Sequence, residues 1–294
     1  MSSLSCHIPA AMADSDSDQA GVPLIENLSD SPEPQNSKSS KRKREATDAD
    51  IDSKKAAKKA RRKLKKPKDV DDDALDSELG INKGIAYMDS SLMADHIAQR
   101  TKRFQPDLSL VEAEDWRIPE TAITDTTSFS QDRVTDSLPT FLEQFAGARR
   151  KKQGKKLENA PNEKGAPHTL VVAGAGLRAA DLTRALRKFQ TKEAMVAKLF
   201  AKHIKLKEAV ESCKKTRMNI GVGTPQRIMD LLDDGALSAK HLERIVVDAS
   251  HIDTKKRGML DMKELQVPLV KLLTRENLKE RYGSGEGKVE LLFY

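Results

Sequence analysis

The sequence predicts an α/β fold with a mainly parallel sheet, formed as a single lobe by residues 166–294 and preceded by a long disordered tail and an extended arm. Three observations predict it. From about Pro161 onward, short apolar runs alternate with stretches of helical period; strand–helix alternation joins parallel strands, because a crossover helix returns the chain to the same end of the sheet. The runs break at turn-forming residues, Gly174-Ala175-Gly176 after the first and Thr224-Pro225 after the second. Residues 1–80, by contrast, contain no Phe, Trp or Tyr and show almost no apolar periodicity, so they bury too little surface to offset the entropy of ordering.

Element by element, His168 to Ala173 reads as a buried strand, since four β-branched or large apolar side chains follow one another without polar alternation. Ala179 to Phe189 places apolar and basic residues at helical spacing, and Ala194 to Lys202 continues in that style toward Ile204 and Leu206. Met218 to Gly223 is a second strand. Thr224 and Pro225 start a helix, the hydroxyl offering a cap to free amides and proline fitting the first helical position. That helix runs from Gln226 to Leu232 and stops at Asp233-Asp234-Gly235. Leu242 to Asp248 and Val289 to Phe293 give the third and fourth strands, with a helix over Leu260 to Leu273 between them.

The segment ahead of the lobe has two parts. The tail, residues 1–80, opens with acidic serine clusters, Ser15-Asp16-Ser17-Asp18 and Ser29-Asp30-Ser31-Pro32, which suit acidophilic kinases and equally suit a plain solvated tail. It then turns basic at Lys41-Arg42-Lys43-Arg44, and again at Lys54-Lys55, Lys58-Lys59, Arg61-Arg62-Lys63 and Lys65-Lys66. Two such clusters at this spacing resemble a bipartite nuclear localisation signal, and they would add nonspecific affinity for a polyanion such as RNA. Residues 81–165 form the arm and linker, with isolated apolar anchors between polar spacers, among them Phe104, Trp116 and Phe129. Anchors of this kind staple a segment across a larger surface, that of its own lobe or of a partner. Within the arm, Leu138 to Phe145 reads as a short amphipathic helix with Pro139 in its first turn and Gly147 at its end.

A net charge of +7 points to a polyanionic partner without distinguishing RNA, DNA or acidic lipid headgroups. Cys6 and Cys213 lie far apart in different kinds of sequence, which fits a reducing compartment and no disulfide framework. No signal peptide and no membrane-length apolar run occur, so no membrane partner is expected. The histidines lack metal-ligand spacing, and no metal or cofactor is expected.

The nucleotide chemistry of an ATPase needs glycines for backbone approach, a lysine for charge and a hydroxyl for magnesium. No Gly-x-x-x-x-Gly-Lys-Ser/Thr occurs in the chain; Gly154-Lys155-Lys156 lacks the hydroxyl and follows a basic loop. A second possibility is a dinucleotide or S-adenosylmethionine site, because Gly174-Ala175-Gly176-Leu177-Arg178-Ala179 matches the fingerprint Gly-x-Gly-x-x-Ala after a strand. Its acidic partner fails, since Glu193 stands before an apolar stretch instead of after one. A third is a DNA- or chromatin-associated factor, for which the tail would serve as well as for RNA.

Three strand ends resemble the first lobe of the DEAD-box RNA helicases. Leu170 to Ala173 leads into Gly174 to Arg178 where that family has Pro-Thr-Arg-Glu-Leu. Gly223-Thr224-Pro225-Gln226-Arg227 stands for Thr-Pro-Gly-Arg, with glutamine for glycine. Ile245-Val246-Val247 ends in Asp248-Ala249-Ser250-His251 where the family has Asp-Glu-Ala-Asp. The resemblance implies a single RecA-like, Rossmann-like lobe, with RNA-contact candidates at Arg178, Thr224 and Arg227 and no catalytic residue, because Ala249 takes the place of the glutamate that assists water. With the arm motifs Arg103-Phe104, Asp125-Thr126-Thr127 and Leu138-Pro139-x-Phe141-Leu142, residues 85–294 closely resemble the CMS family of eukaryotic small-subunit pre-ribosome proteins. That resemblance implies a non-enzymatic assembly factor of the nucleus and nucleolus. Its partners would be pre-ribosomal RNA, a small nucleolar ribonucleoprotein and proteins of the early small-subunit particle.

Overall fold

Apolar runs rich in Val, Ile and Leu are stable as strands when both faces of the sheet are covered, and this chain covers them with its own helices. The structure is a computed structural model that describes residues 74–147, 157–201, 204–283, 285 and 287–294. Strands β3 (Thr169–Val172), β4 (Met195–Leu199), β5 (Met218–Gly223), β6 (Arg244–Val247) and β7 (Glu290–Phe293) form one sheet, in the order β4-β5-β3-β6-β7. All four pairings are parallel. A small antiparallel pair, β1 (Leu75–Asp76) and β2 (Ile81–Asn82), precedes it, so regular structure begins inside the segment expected as tail. The basic clusters from Lys41 to Lys66, the acidic serines and the basic loop at 149–156 lie outside the described residues.

Side chains alternate across the sheet as the strand period demands. Leu170, Val172, Ile245, Val247, Leu291 and Phe293 share a core with helices α1 (Ser90–Phe104), α6 (Pro225–Asp233) and α7 (Lys263–Leu273). Val171, Val246, Leu292 and Tyr294 face α3 (Leu138–Gly147) and α4 (Gly176–Ala185) on the other side. Helices α2 (Leu110–Asp115), α5 (Leu206–Lys215) and α8 (Glu276–Lys279) complete the set.

The structure corrects the sequence reading at two places. Residues 195–199, read as a continuation of helix, are the edge strand β4. Only Val196 and Leu199 are fully buried within it, and the register shifts between Met195 and Val196, so the burial spacing imitates a helix. The pairing itself decides the conformation. Gly221 and Gly223 let β4 approach closely: a Cβ on Gly223 would stand 2.1 Å from the Leu199 carbonyl oxygen.

The arm is not extended throughout. Asp89 caps α1 by accepting from the Leu92 amide at 2.8 Å, and Met93, Ala94, Ile97, Arg100 and Thr101 form its buried stripe. Two of those five are polar and satisfied inside. Arg100 pairs with Asp261 at 3.1 Å, and the Thr101 hydroxyl donates to the Ile97 carbonyl and accepts from Gln266 Nε2. The described part of the arm and the lobe fall in one compact unit. Past α2 the arm runs along the outer edge of β7, where the Thr124 amide donates to Leu291 O at 2.8 Å and the Thr126 hydroxyl donates to Phe293 O at 3.3 Å. That cover leaves β7 without the bare hydrogen-bonding edge that invites pairing with another chain.

Candidate functional site

In open α/β sheets ligands gather at the carboxyl ends of the strands, where the loops diverge to opposite faces. Here that edge is formed by the turn after β3, the start of α6 after β5, and Asp248 to His251 after β6. The first turn of α4 brings Arg178 over the end of β6. Its Nε and Nη2 donate to the two carboxylate oxygens of Asp248 at 2.8 and 2.9 Å, and Nη1 donates to the Thr135 hydroxyl. The side chains are 10% and 2% exposed, so the pair is sealed from water. Burial opposes the charge on Arg178, and the Asp248 carboxylate outweighs that penalty, holding the guanidinium above its usual range.

Two groups that the sequence reading missed close the same edge. The Tyr294 carbonyl accepts from the amides of Ala249 and Ser250 at 2.8 Å each, and its hydroxyl donates to Val134 O. Burial, reinforced by the Asp248 charge, pushes the Tyr294 phenol up, so it stays protonated and donating. Arg133, 1% exposed, donates through Nη1 to Phe293 O at 2.6 Å and through Nη2 to the carbonyl and hydroxyl oxygens of Thr126 at 3.0 Å each. It meets carbonyls rather than a carboxylate, and burial lowers it to about 10. Its acceptor on Phe293 is 160 residues away, a pairing that leaves no local sequence signal.

The expected RNA contacts therefore separate. Arg178 is turned inward, where its charge balances Asp248. Thr224 occupies the cap position of α6 without the expected side-chain hydrogen bond. Pro225 at the first position has no amide to satisfy, so Gln226 and Arg227 present the first amides of the helix. Gln226 is exposed and donates to Asp230 at 2.9 Å along its own helix. Arg227 is half-buried, and its Nη1 donates to Ile204 O at 3.3 Å, which steadies the guanidinium. A helix start with free amides and a fixed arginine favours a phosphate oxygen.

The three arm anchors separate as well. Phe129 is 5% exposed and lies 5.2 Å edge-on from Phe141 of the arm and 6.4 Å from the ring of Tyr294, so it docks on its own lobe. Trp116 is half-buried with the Lys271 ammonium 5.6 Å from its ring centre, and Phe104 is half-buried with the Arg103 guanidinium at 5.9 Å. No group of three or more His, Cys, Asp or Glu among the described residues could hold a metal ion. No helix among them is long and apolar enough to cross a membrane.

A family model described as "CMS1: U3-containing 90S pre-ribosomal complex subunit" matches residues 25–294. The chain is 54% identical over 234 residues to Protein CMS1 of Chaetomium thermophilum, spanning 80% of this chain and 91% of that protein. It is 31% identical over 202 residues to Protein cms1 of Schizosaccharomyces pombe, 69% of each. Among solved structures it is similar to the yeast DEAD-box splicing factor Prp28, with 19% identity and a TM-score of 0.36 over 47% of this chain and 30% of that one.

Proposed function

The chain belongs to the CMS1 family, and from that premise we propose that it is a non-catalytic structural assembly factor of the nucleolar small-subunit pre-ribosomal particle, associated with pre-ribosomal RNA and small nucleolar RNA. The observation that carries the non-catalytic reading is the closed carboxyl edge. Both oxygens of Asp248 accept from Arg178 and the residue is 2% exposed, an arrangement that disfavours a solvated magnesium ion, and Ala249 beside it has no proton acceptor. Arg178 in the first turn of α4 is already committed to Asp248, at the helix start where a phosphate would bind in a dinucleotide or S-adenosylmethionine site. That favours a scaffold over the Rossmann-enzyme alternative.

RNA contact by the lobe centres on Thr224 and Arg227, with Lys41 to Arg44 and Lys58 to Lys63 of the tail adding sequence-independent affinity. Nuclear and nucleolar residence follows from the same reading. The test is crosslinking of pre-ribosomal RNA to the full chain, wild type against Arg227→Glu, with affinity measured over a salt series. The expected result is loss of the crosslinks at the start of α6 and a salt-dependence slope smaller by about 1. Unchanged crosslinks and slope would mean that the lobe meets protein instead. Equal affinity for structured RNA and duplex DNA at physiological salt would favour the chromatin alternative.

A further inference from the structure

Residues 102–115 contain no fully buried side chain, although Phe104, Leu108, Leu110, Val111 and Ala113 fall within them. Helix α2 lies at their end. An isolated helix of six residues is unstable in water, and this one has no buried residue to hold it. What shapes it is its cap. The Glu112 amide donates to Ser109 Oγ at 3.3 Å, and the Ser109 amide donates back to the Glu112 carboxylate at 2.9 Å. Its far end is fastened to the lobe, where Lys279 Nζ donates to the Asp115 carbonyl at 2.8 Å and Trp116 lies by Lys271.

On this fixed turn Leu110 is 91% exposed and Val111 74%. Neither side chain is held by packing, since the adjacent aliphatics point outward, and valine adds little helix propensity. Around them stand Asp107, Glu112, Glu114 and Asp115, all exposed. The cap hydrogen bonds from Ser109 lower the Glu112 carboxyl, which keeps it charged. Arg117 reaches Glu114 only at 3.9 Å.

We propose that α2 is a protein-docking knob: Leu110 and Val111 enter an apolar groove on a partner whose rim carries Lys and Arg, which the acids around the knob meet. The charge pattern chooses the partner. Four carboxylates within nine residues repel a phosphate backbone, and RNA offers aliphatic side chains no apolar groove, whereas a basic-rimmed protein groove answers both features. The pre-formed turn lowers the ordering cost of binding. This rests on the reading of the chain as a subunit of the pre-ribosomal particle, since the partner belongs there.

The experiment places a benzophenone side chain at position 110 of the full chain, irradiates the purified particle and sequences what is joined. A crosslink to a protein peptide carrying Lys or Arg beside apolar residues is expected, with a yield roughly ten-fold lower when Asp107→Lys and Glu114→Lys, which leave the Ser109–Glu112 cap intact, are combined. All three positions are exposed, so the melting temperature of each variant stays at the wild-type value. A crosslink to RNA, a crosslink to an acidic peptide, an undiminished yield in the charge reversal, or no crosslink while the chain sediments with the particle overturns the inference alone. Absence of the wild-type chain from the particle overturns the functional reading and the knob together.

Discussion

Arg178 and Asp248 form a bidentate ion pair across 70 residues of sequence, with donor–acceptor distances of 2.8 and 2.9 Å, at the edge of the sheet where a nucleotide-binding fold would leave its carboxylate open. Removing one partner leaves the other charge buried and unpaired. Arg178→Met or Asp248→Asn alone is expected to destabilise the chain by about 3–5 kcal/mol, whereas the double substitution recovers much of the loss. Urea unfolding of the four chains in a double-mutant cycle measures this, and additive losses would contradict the pairing.

Gly223 admits no side chain. The Leu199 carbonyl oxygen would stand 2.1 Å from an added Cβ and the Leu199 Cβ 2.8 Å, and the first of these is backbone. Gly223→Ala is therefore expected to pry β4 from β5, at a cost of about 1–3 kcal/mol. Amide exchange in β4 should accelerate far more than in β3, where β5 on one side and β6 on the other hold the strand.

His251 supplies a pH dependence. Burial, and then the charge of Arg178, lower its pKa below the ordinary value of 6.5. A histidine depressed in the fold contributes stability that is present above its unfolded pKa and lost as pH falls through that value toward the folded one. The melting temperature should drop on acidification from neutrality, and His251→Gln should flatten that drop. An equally steep decline in the variant would assign it to other groups.

Cys213, 1% exposed, has its thiol pushed up to about 11 by burial. The thiolate is the reactive form, so Cys213 should resist iodoacetamide in the folded chain at pH 8 and react once urea unfolds it. Fast alkylation of the native chain would show that α5 opens readily.

The sheet was legible where burial on both faces fills a strand with apolar side chains. Thr169–Val172, Met218–Gly223, Arg244–Val247 and Glu290–Phe293 all stand within the expected runs. The edge strand β4 was not, because two buried residues three apart fit a helix as well as a strand. Helix α1 hid for a different reason: Arg100 and Thr101 sit on its buried stripe, and their partners Asp261 and Gln266 are far away in sequence. At the site, the position of Arg227 followed from local chemistry, since a strand end, a proline and an arginine define a helix start. The inward turn of Arg178 depended on Asp248, and the parts played by Arg133 and Tyr294 depended on contacts across 160 residues, which no local pattern carries.

The central proposal is that this α/β lobe is non-catalytic, with Asp248 at its strand ends sealed by Arg178. Equilibrium dialysis of the full chain against labelled ATP with magnesium, with and without structured RNA, tests it most directly. The account predicts no saturable binding and no hydrolysis above background. Saturable micromolar binding, or hydrolysis stimulated by RNA, would contradict it.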